Sequence, residues 1–201
     1  MAVRYNVERK ATSKVFIILL FFGWLGSTSL SFLQFPEFYQ SFSFNGKGHL
    51  TWFGSVISGT VALIIYFQFS KTPMKEILNL LAPSVALAYG IGRIGCFSIQ
   101  DGCFGVPCNP ENGNVLCYET ERGYYLNTPL LESSISFFIF IVLCLMPYKF
   151  RAALFLIAHG SARLGVEFIR VNPALYAGLS FAQIFSVILI LAGLIMFFRR
   201  D

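Results

Sequence analysis

Five ionisable residues lie inside otherwise apolar stretches of this sequence: Arg93, Glu132, His159, Arg163 and Glu167. An arginine fork binds phosphate or carboxylate oxygens and stays charged, and a carboxylate can hold such a fork in place. Charged residues at membrane depth are costly and usually face the interior of a helix bundle. The set therefore predicts a functional site. The alternative is structural pairing between or along helices, for example of Arg163 with Glu167 one turn further on.

The composition of the chain is typical of a membrane protein. Of its 201 residues, 56% are hydrophobic, 17% are aromatic and only 12% are charged, and the mean hydropathy is +0.67. A soluble domain of this length needs more polar surface to cover its core. The net charge is +5, but the lysines and arginines stand in short loops, so we expect no nucleic-acid partner. The predicted fold class is an all-α, polytopic transmembrane helix bundle.

Apolar runs long enough to cross a bilayer, which takes about 20 residues each, recur along the chain. We predict six spans, at residues 15–33, 50–69, 77–99, 130–146, 152–169 and 179–198. The fifth is the least apolar, because it contains His159, Arg163 and Glu167. All six belong to one predicted transmembrane domain over residues 1–201. The first run could be read as a signal peptide, but the equally apolar runs after it favour a retained helix.

Positive charges in the loops predict the orientation of these spans. With both termini inside, the inner face receives most of the basic residues, namely Arg4, Arg9, Lys10, Lys14, Lys71, Lys75, Lys149, Arg151, Arg199 and Arg200. The outer face receives fewer, together with an acidic loop at residues 100–128. On this map the polar segments 49–59, 93–105, 127–132 and 159–167 all lie at the outer leaflet. We therefore expect the site there.

Small residues indicate where the helices can approach closely. Pairs of small residues one helical turn apart are Gly54 with Ser58, Ser55 with Gly59, and Ala86 with Gly90. Such pairs let two helix backbones pack together. Gly92 and Gly95 flank Arg93, where they would also let an anionic head group approach the backbone. Ordinary packing is the alternative interpretation of these glycines.

Four cysteines cluster in or beside the acidic loop: Cys96, Cys103, Cys108 and Cys117. Outside the cytoplasm such cysteines tend to be oxidised, so we predict one or two disulfides that pin the loop. Cys103 and Cys108 are close enough in sequence to pair, but the spacing does not determine the connectivity. A zinc site is less favoured because no CxxC pair is present. Disulfide exchange at the membrane surface is a further alternative.

Four blocks of the sequence occur in the order found in one known family. They are Leu50-Thr-Trp-Phe-Gly-Ser-Val-Ile-Ser-Gly59, then Tyr89-Gly-Ile-Gly-Arg-Ile-Gly-Cys-Phe97 with Asp101-Gly-Cys-Phe-Gly105, then Asn127-Thr-Pro-Leu-Leu-Glu132, then Arg163-Leu-Gly-Val-Glu-Phe-Ile-Arg170 with Gly178-Leu-Ser-Phe-Ala-Gln183. The second block resembles the signature of the prolipoprotein diacylglyceryl transferase family, and the others resemble further blocks of that family. Together they cover most of the chain.

The chain keeps two arginines and two acids of these blocks: Arg93, Glu132, Arg163 and Glu167. It departs from the family at other positions. Phe53 stands where many members have a histidine, Cys96 replaces an asparagine, and His159 replaces a tyrosine. Members usually carry one more helix at the start, and we expect this chain to begin near their second helix.

The resemblance implies transfer of a diacylglyceryl group from phosphatidylglycerol to the lipobox cysteine of a preprolipoprotein signal peptide. The reaction is expected at the outer leaflet of a bacterial inner membrane, among membrane lipid, without a cofactor or metal. We assign Arg93 to the phosphate and Arg163 to the charge that develops on the leaving group. Glu132 and Glu167 would orient the arginines, and His159 is our hypothesis for the base that takes the thiol proton.

The expected substrate-binding residues are Arg93, Gly92, Gly105, Gly54, Glu132 and Glu167. Two other function classes stay open from the sequence. One is a noncatalytic relative that binds lipid or a partner through the same outer pocket. The replacement of the family histidine by Phe53 favours this class. The other is a thiol oxidoreductase that uses the loop cysteines.

Overall fold

The computed structural model describes residues 9–34, 52–70, 73–99, 104–112, 116–120, 123–170 and 179–198. Within them the chain forms six α-helices: α1 Arg9–Gln34, α2 Trp52–Phe69, α3 Met74–Ile99, α4 Thr128–Leu145, α5 Arg151–Glu167 and α6 Phe181–Phe198. Two strands, β1 Cys117–Thr120 and β2 Gly123–Leu126, precede α4. Each helix coincides with one predicted span to within a few residues, except that α1 begins at Arg9, well before residue 15.

Three of the described helices are long and apolar enough to cross a bilayer, over Ala11–Leu33, Met74–Ser98 and Thr128–Leu145. Shorter apolar segments lie at Gly54–Phe69 and Ala182–Phe198. Large side chains such as Leu20, Phe138 and Ile195 are exposed on the outside of the helices, as is expected where a helix faces lipid. The chain is therefore an all-α, multi-pass membrane protein, as predicted. The count of six spans and the inside termini stay predictions.

The first compact unit, Met1–Ile77, contains the helix pair α1 and α2. These helices touch at Gly26 and Gly54, where a Cβ atom added to either glycine would collide with the backbone of the other. Beside this contact, Ser55 Oγ donates a hydrogen bond to the carbonyl oxygen of Gly23 at 2.8 Å. The small residues of α2 thus bring the two backbones together, as predicted.

The second compact unit, Leu78–Asp201, contains most of α3 and all of α4, α5 and α6. Its core consists of apolar residues of α3 and α4: Ala82, Ala86, Ile139 and Leu143. Further along the same two helices, Ser133 Oγ donates to the carbonyl oxygen of Gly90 at 2.9 Å. The small residues of α3 therefore let α4 approach closely.

Helices α5 and α6 also pack through glycines, one on each helix. A Cβ atom on Gly160 would lie 2.9 Å from the carbonyl oxygen of Ser186, and one on Gly193 would lie 2.9 Å from that of Ala153. Ser186 is fully buried at this contact, and its Oγ donates to the carbonyl oxygen of Ala182 in its own helix. The contact therefore excludes any side chain larger than hydrogen at Gly160 and Gly193.

A small sheet lies between α3 and α4 in the sequence. Strand β1 pairs antiparallel with β2, and the segment 104–108 pairs with the other edge of β2, where Leu126 N donates to Val106 O at 3.0 Å. Gly105 then forms a β-bridge with Arg170, just after α5. A disulfide joins Cys108 to Cys117, which confirms that the loop is pinned by a disulfide. Cys103, the other candidate partner of Cys108, lies outside the described residues.

Replacing Gly160 by alanine should destabilise the protein, although alanine is intrinsically the better helix former. The added Cβ would lie 2.9 Å from both Ser186 O and Ile190 Cγ1, so α5 and α6 would have to separate. We expect the midpoint of thermal unfolding in detergent to fall by several degrees.

The matched control is Gly165→Ala on the same helix, where no described atom lies within 4 Å of the added Cβ. This variant should unfold at the wild-type temperature or slightly above it. Equal midpoints for the two variants would show that close packing at Gly160 is unimportant.

Candidate functional site

Glu132 lies one turn inside α4, and the start of that helix is fixed by its own sequence. Asn127 caps the helix, since its Oδ1 accepts a hydrogen bond from Leu130 N at 3.1 Å. Pro129 stands in the first turn. A backbone N–H has no acceptor within the helix at this position, so proline loses no hydrogen bond there. The cap and the proline place Glu132 on the buried side of α4, where it is only 4% exposed.

Three guanidinium groups surround the carboxylate of Glu132. Arg93 Nε of α3 lies 2.6 Å from Oε2, and Arg163 Nη1 of α5 lies 2.7 Å from Oε1. Arg170 Nη1, held by its β-bridge to Gly105, lies 3.7 Å from Oε1. The side chains of these arginines are 13%, 14% and 9% exposed. Both oxygens of a buried carboxylate are thus matched by charged donors, as burial of a charge requires.

Tyr89 lies one helical turn before Arg93 and joins the same cluster. Its hydroxyl donates a hydrogen bond to Glu132 Oε2. It also accepts hydrogen bonds from Arg93 Nε at 3.0 Å and from Arg93 Nη2 at 2.8 Å. Arg93 therefore has contacts with the hydroxyl and with the carboxylate on the same side of its guanidinium.

Glu167 extends the cluster from α5 toward α6. Its Oε2 lies 3.6 Å from Arg163 Nη2, one turn earlier on the same helix. Its Oε1 accepts a hydrogen bond from Ser180 Oγ at 2.6 Å, just before α6 begins. Three guanidiniums and two carboxylates leave one positive charge in excess among these described residues. The cluster can therefore attract one further anion.

His159 lies beside the charged cluster on α5. Its ring makes an edge contact with Tyr89, at 4.6 Å between centroids, and stacks on Phe155 at 5.3 Å. Within the described ranges no hydrogen bond reaches its imidazole nitrogens. The imidazole is thus packed in place by aromatic rings while its nitrogens stay available to a ligand.

A cavity opens next to these side chains. It is lined by the polar residues Tyr89, Glu132, Ser136, His159 and Arg163 and by the apolar residues Ile135, Ala162 and Val166. The lining thus contains charged and apolar residues side by side. No group of three or more histidine, cysteine or acidic residues able to hold a metal ion occurs in the described part of the chain.

The structure brings together five of the predicted site residues: Arg93, Glu132, His159, Arg163 and Glu167. Gly92 directly precedes Arg93 and has no described atom within 4 Å of the position of a Cβ. Gly105 lies in the small sheet, where a Cβ would come 2.6 Å from Ile169 O, so its close contact is with backbone. Gly54 belongs to the first unit, and its part in substrate binding stays a prediction.

Three contacts of the cluster were not predicted from the sequence: Tyr89, Arg170 and Ser180. Tyr89 stands four residues before Arg93, and this spacing places two side chains on one face of a helix, so it could have been found. Arg170 and Ser180 lie outside the regular helices. Their positions depend on the sheet and on the start of α6, and the sequence signal that could have found them is that both stand in the quoted family blocks.

The fold and the cluster define a multi-pass membrane protein with a buried arginine–carboxylate site beside a partly apolar cavity. The family model described as prolipoprotein diacylglyceryl transferase matches residues 1–199, and the chain belongs to this family. The resemblance found in the four sequence blocks is thereby confirmed.

Several curated relatives carry the name phosphatidylglycerol–prolipoprotein diacylglyceryl transferase. One from Leptospira interrogans is 34% identical over 149 residues, which are 66% of this chain and 45% of the relative. One from Clostridium tetani is 30% identical over 155 residues, covering 72% of this chain and 61% of the relative. One from a Synechococcus strain is 28% identical over 173 residues, covering 73% and 61%. The chain spans about half to three fifths of the length of these relatives.

Removing the charge of Glu132 should destabilise the protein strongly. In Glu132→Gln the guanidiniums of Arg93, Arg163 and Arg170 lose the carboxylate that they share. Breaking a buried ion pair from one side costs about 3–5 kcal/mol, so thermal unfolding in detergent should begin at a clearly lower temperature. The control is Glu119→Gln, which changes an exposed carboxylate of β1. If both variants unfold like the wild type, the cluster does not stabilise the fold.

Proposed function

We propose that this protein transfers a diacylglyceryl group from phosphatidylglycerol to the lipobox cysteine of a preprolipoprotein. Membership of the transferase family and the names of the curated relatives support this function. The observation that carries it for this chain is the cluster of three arginines with Glu132 and Glu167, which has one positive charge in excess. A phosphodiester such as phosphatidylglycerol carries one negative charge and an apolar tail, which match the charge and the mixed lining of the cavity.

Arg93 and Arg163 are the proposed catalytic arginines. Arg93 binds the phosphate through the side of its guanidinium that does not face Tyr89 and Glu132. Arg163 lies across Glu132 from Arg93 and stabilises the charge that develops on the leaving group. Glu132 holds both arginines, and Glu167 holds Arg163 from the other side. The charges are thus in position before the reaction starts, so the protein need not reorganise in the transition state.

The proposed reaction is a displacement at carbon. The thiolate of the lipobox cysteine attacks the carbon of the diacylated glycerol that is bonded to the phosphate oxygen, and a carbon–sulfur bond forms. The bond between that carbon and the phosphate oxygen breaks, its electron pair stays on the oxygen, and glycerol phosphate leaves. The leaving group gains a negative charge, which the arginines stabilise. The thiol proton leaves to a base.

His159 is the proposed base. Its imidazole nitrogens have no hydrogen-bond partner among the described residues, and its ring lines the cavity beside Arg163. A thiol with a pKa of about 8.5 is already a few per cent thiolate at neutral pH. A base therefore accelerates the reaction without being obligatory, and Phe53 in place of the family histidine is compatible with activity.

The proposed binding residues beyond the charged cluster are glycines. The open space at Gly92 leaves room for the head group beside the α3 backbone, one residue before Arg93. Gly105 would act next to Arg170, with which it forms a β-bridge. We place the site at the outer leaflet of a bacterial inner membrane, where both the lipid donor and the signal peptide of a preprolipoprotein are present.

Complementation tests the proposed function directly. Expression of this chain in cells depleted of their own diacylglyceryl transferase should restore lipoprotein maturation, seen as a gel shift. Arg93→Ala should abolish maturation because the phosphate loses its fixed charge, whereas Lys149→Ala, which changes an exposed cation between α4 and α5, should not. Absence of maturation from a chain shown to be in the membrane would favour the noncatalytic relative instead.

The role of His159 has its own test. His159→Ala should lower the initial rate of diacylglyceryl transfer several-fold in purified membranes that contain equal amounts of protein. The reason is that the thiol then loses a nearby proton acceptor, while Arg93 and Arg163 keep their carboxylate contacts. A rate equal to that of the wild type would exclude His159 as the base.

A further inference from the structure

The hydroxyl of Tyr89 controls how Arg93 meets Glu132. Arg93 forms an ion pair with the carboxylate, with its Nε 2.6 Å from Oε2, but the Nε–H donates its hydrogen bond to the Tyr89 hydroxyl at 3.0 Å. Its Nη2 also donates to the Tyr89 hydroxyl, at 2.8 Å, and that hydroxyl donates onward to Glu132 Oε2. An arginine and a carboxylate usually prefer two parallel hydrogen bonds, from two nitrogens to two oxygens. Here both nitrogens donate to the Tyr89 hydroxyl, which stands between the guanidinium and the carboxylate.

The three nitrogens of the Arg93 guanidinium differ in their protein contacts. Nε and Nη2 are occupied by the tyrosine hydroxyl and the carboxylate. Nη1 has a weak contact with Cys96 Sγ at 4.0 Å. Sulfur is a poor acceptor, so a phosphate oxygen can replace it at little cost. The Nη1 side is therefore the side on which an anion can bind.

Glu132 offers Arg93 only its Oε2, because Oε1 contacts two other arginines. Oε1 already contacts Arg163 at 2.7 Å and Arg170 at 3.7 Å. Without the Tyr89 hydroxyl, Arg93 would turn so that both Nε and Nη2 point at Glu132. The Nη1 side would then turn away from its present direction, and the carboxylate would lose a neutral donor.

We propose that Tyr89 is a positioning residue that sets the direction of the Arg93 guanidinium toward the phosphate of phosphatidylglycerol. The inference rests on the proposed function, since it concerns the same lipid donor. Tyr89 acts through Arg93 and does not itself touch the reacting atoms. The hydroxyl carries this role, whereas the ring serves a separate contact with His159.

Tyr89→Phe isolates the hydroxyl, because phenylalanine keeps the ring that packs against His159. We expect the KM for phosphatidylglycerol in mixed micelles to rise about tenfold, as is typical when a hydrogen bond to a charged group is lost. The kcat should change much less. The control is Tyr66→Phe in α2, whose ring contacts Phe67 outside the cluster, and it should leave both constants unchanged.

A double-mutant cycle separates positioning from a general loss of structure. If Tyr89 acts through Arg93, Tyr89→Phe should have little further effect on KM once Arg93→Lys has removed the guanidinium fork. Effects that multiply independently, with the same tenfold rise in both backgrounds, would overturn the proposal. So would a KM for Tyr89→Phe equal to that of the wild type.

A measurement of lipid binding tests the positioning role separately from the proposed function. Phosphatidylglycerol added to detergent-solubilised protein should raise the thermal unfolding temperature of the wild type more than that of Tyr89→Phe. If the lipid stabilises the wild type more than Tyr89→Phe but the wild type transfers no diacylglyceryl group, the proposed function fails and the positioning role stands. If both proteins transfer and bind equally, the positioning role fails and the function stands. No stabilisation and no transfer by the wild type would overturn both.

Discussion

The carboxylate of Glu132 is the group on which the second unit of this protein depends. A buried charge in a membrane protein is tolerated only when other charges and hydrogen bonds offset its lost hydration. Arg93, Arg163 and Arg170 do so here from three separate segments of the chain. Because these segments are α3, α5 and the residues after α5, one side chain of α4 joins most of the unit. Each of these arginines therefore also helps to hold its segment of the chain against α4.

The structural and functional interpretations of the charged residues are compatible. The pairing of Arg163 with Glu167, which is the structural alternative to a functional site, is present at 3.6 Å. The same Arg163 lies closer to Glu132, at 2.7 Å, and lines the cavity. Since the guanidiniums outnumber the carboxylates, the ion pairs that hold the helices together also leave a positive charge for a ligand. A purely structural network would gain nothing from that excess.

The sequence predicted what local patterns determine. Apolar runs predicted the six helices that the described residues form. Intramembrane charges predicted that Arg93, Glu132, His159, Arg163 and Glu167 would lie together, because a charge at membrane depth must find partners. The sheet was not predicted, since its short strands show no clear alternation of apolar and polar residues and pair through contacts distant in sequence. Arg170 was missed for the same reason, because the Gly105 bridge positions it. The pairing of Cys108 with Cys117 likewise depends on strand register.

The small residues of α3 and α4 explain how the charged groups reach one another. Ser133 follows Glu132 directly, and its hydroxyl bonds to the carbonyl oxygen of Gly90, three residues before Arg93. A Cβ on Gly90 would lie 3.1 Å from the ring of Phe137, tighter than most side-chain contacts. A larger residue there would push α4 outward and lengthen the 2.6 Å contact between Arg93 and Glu132. Close packing of neutral groups thus sets the distance between the charges, and the spacing of the helices becomes part of the chemistry of the site.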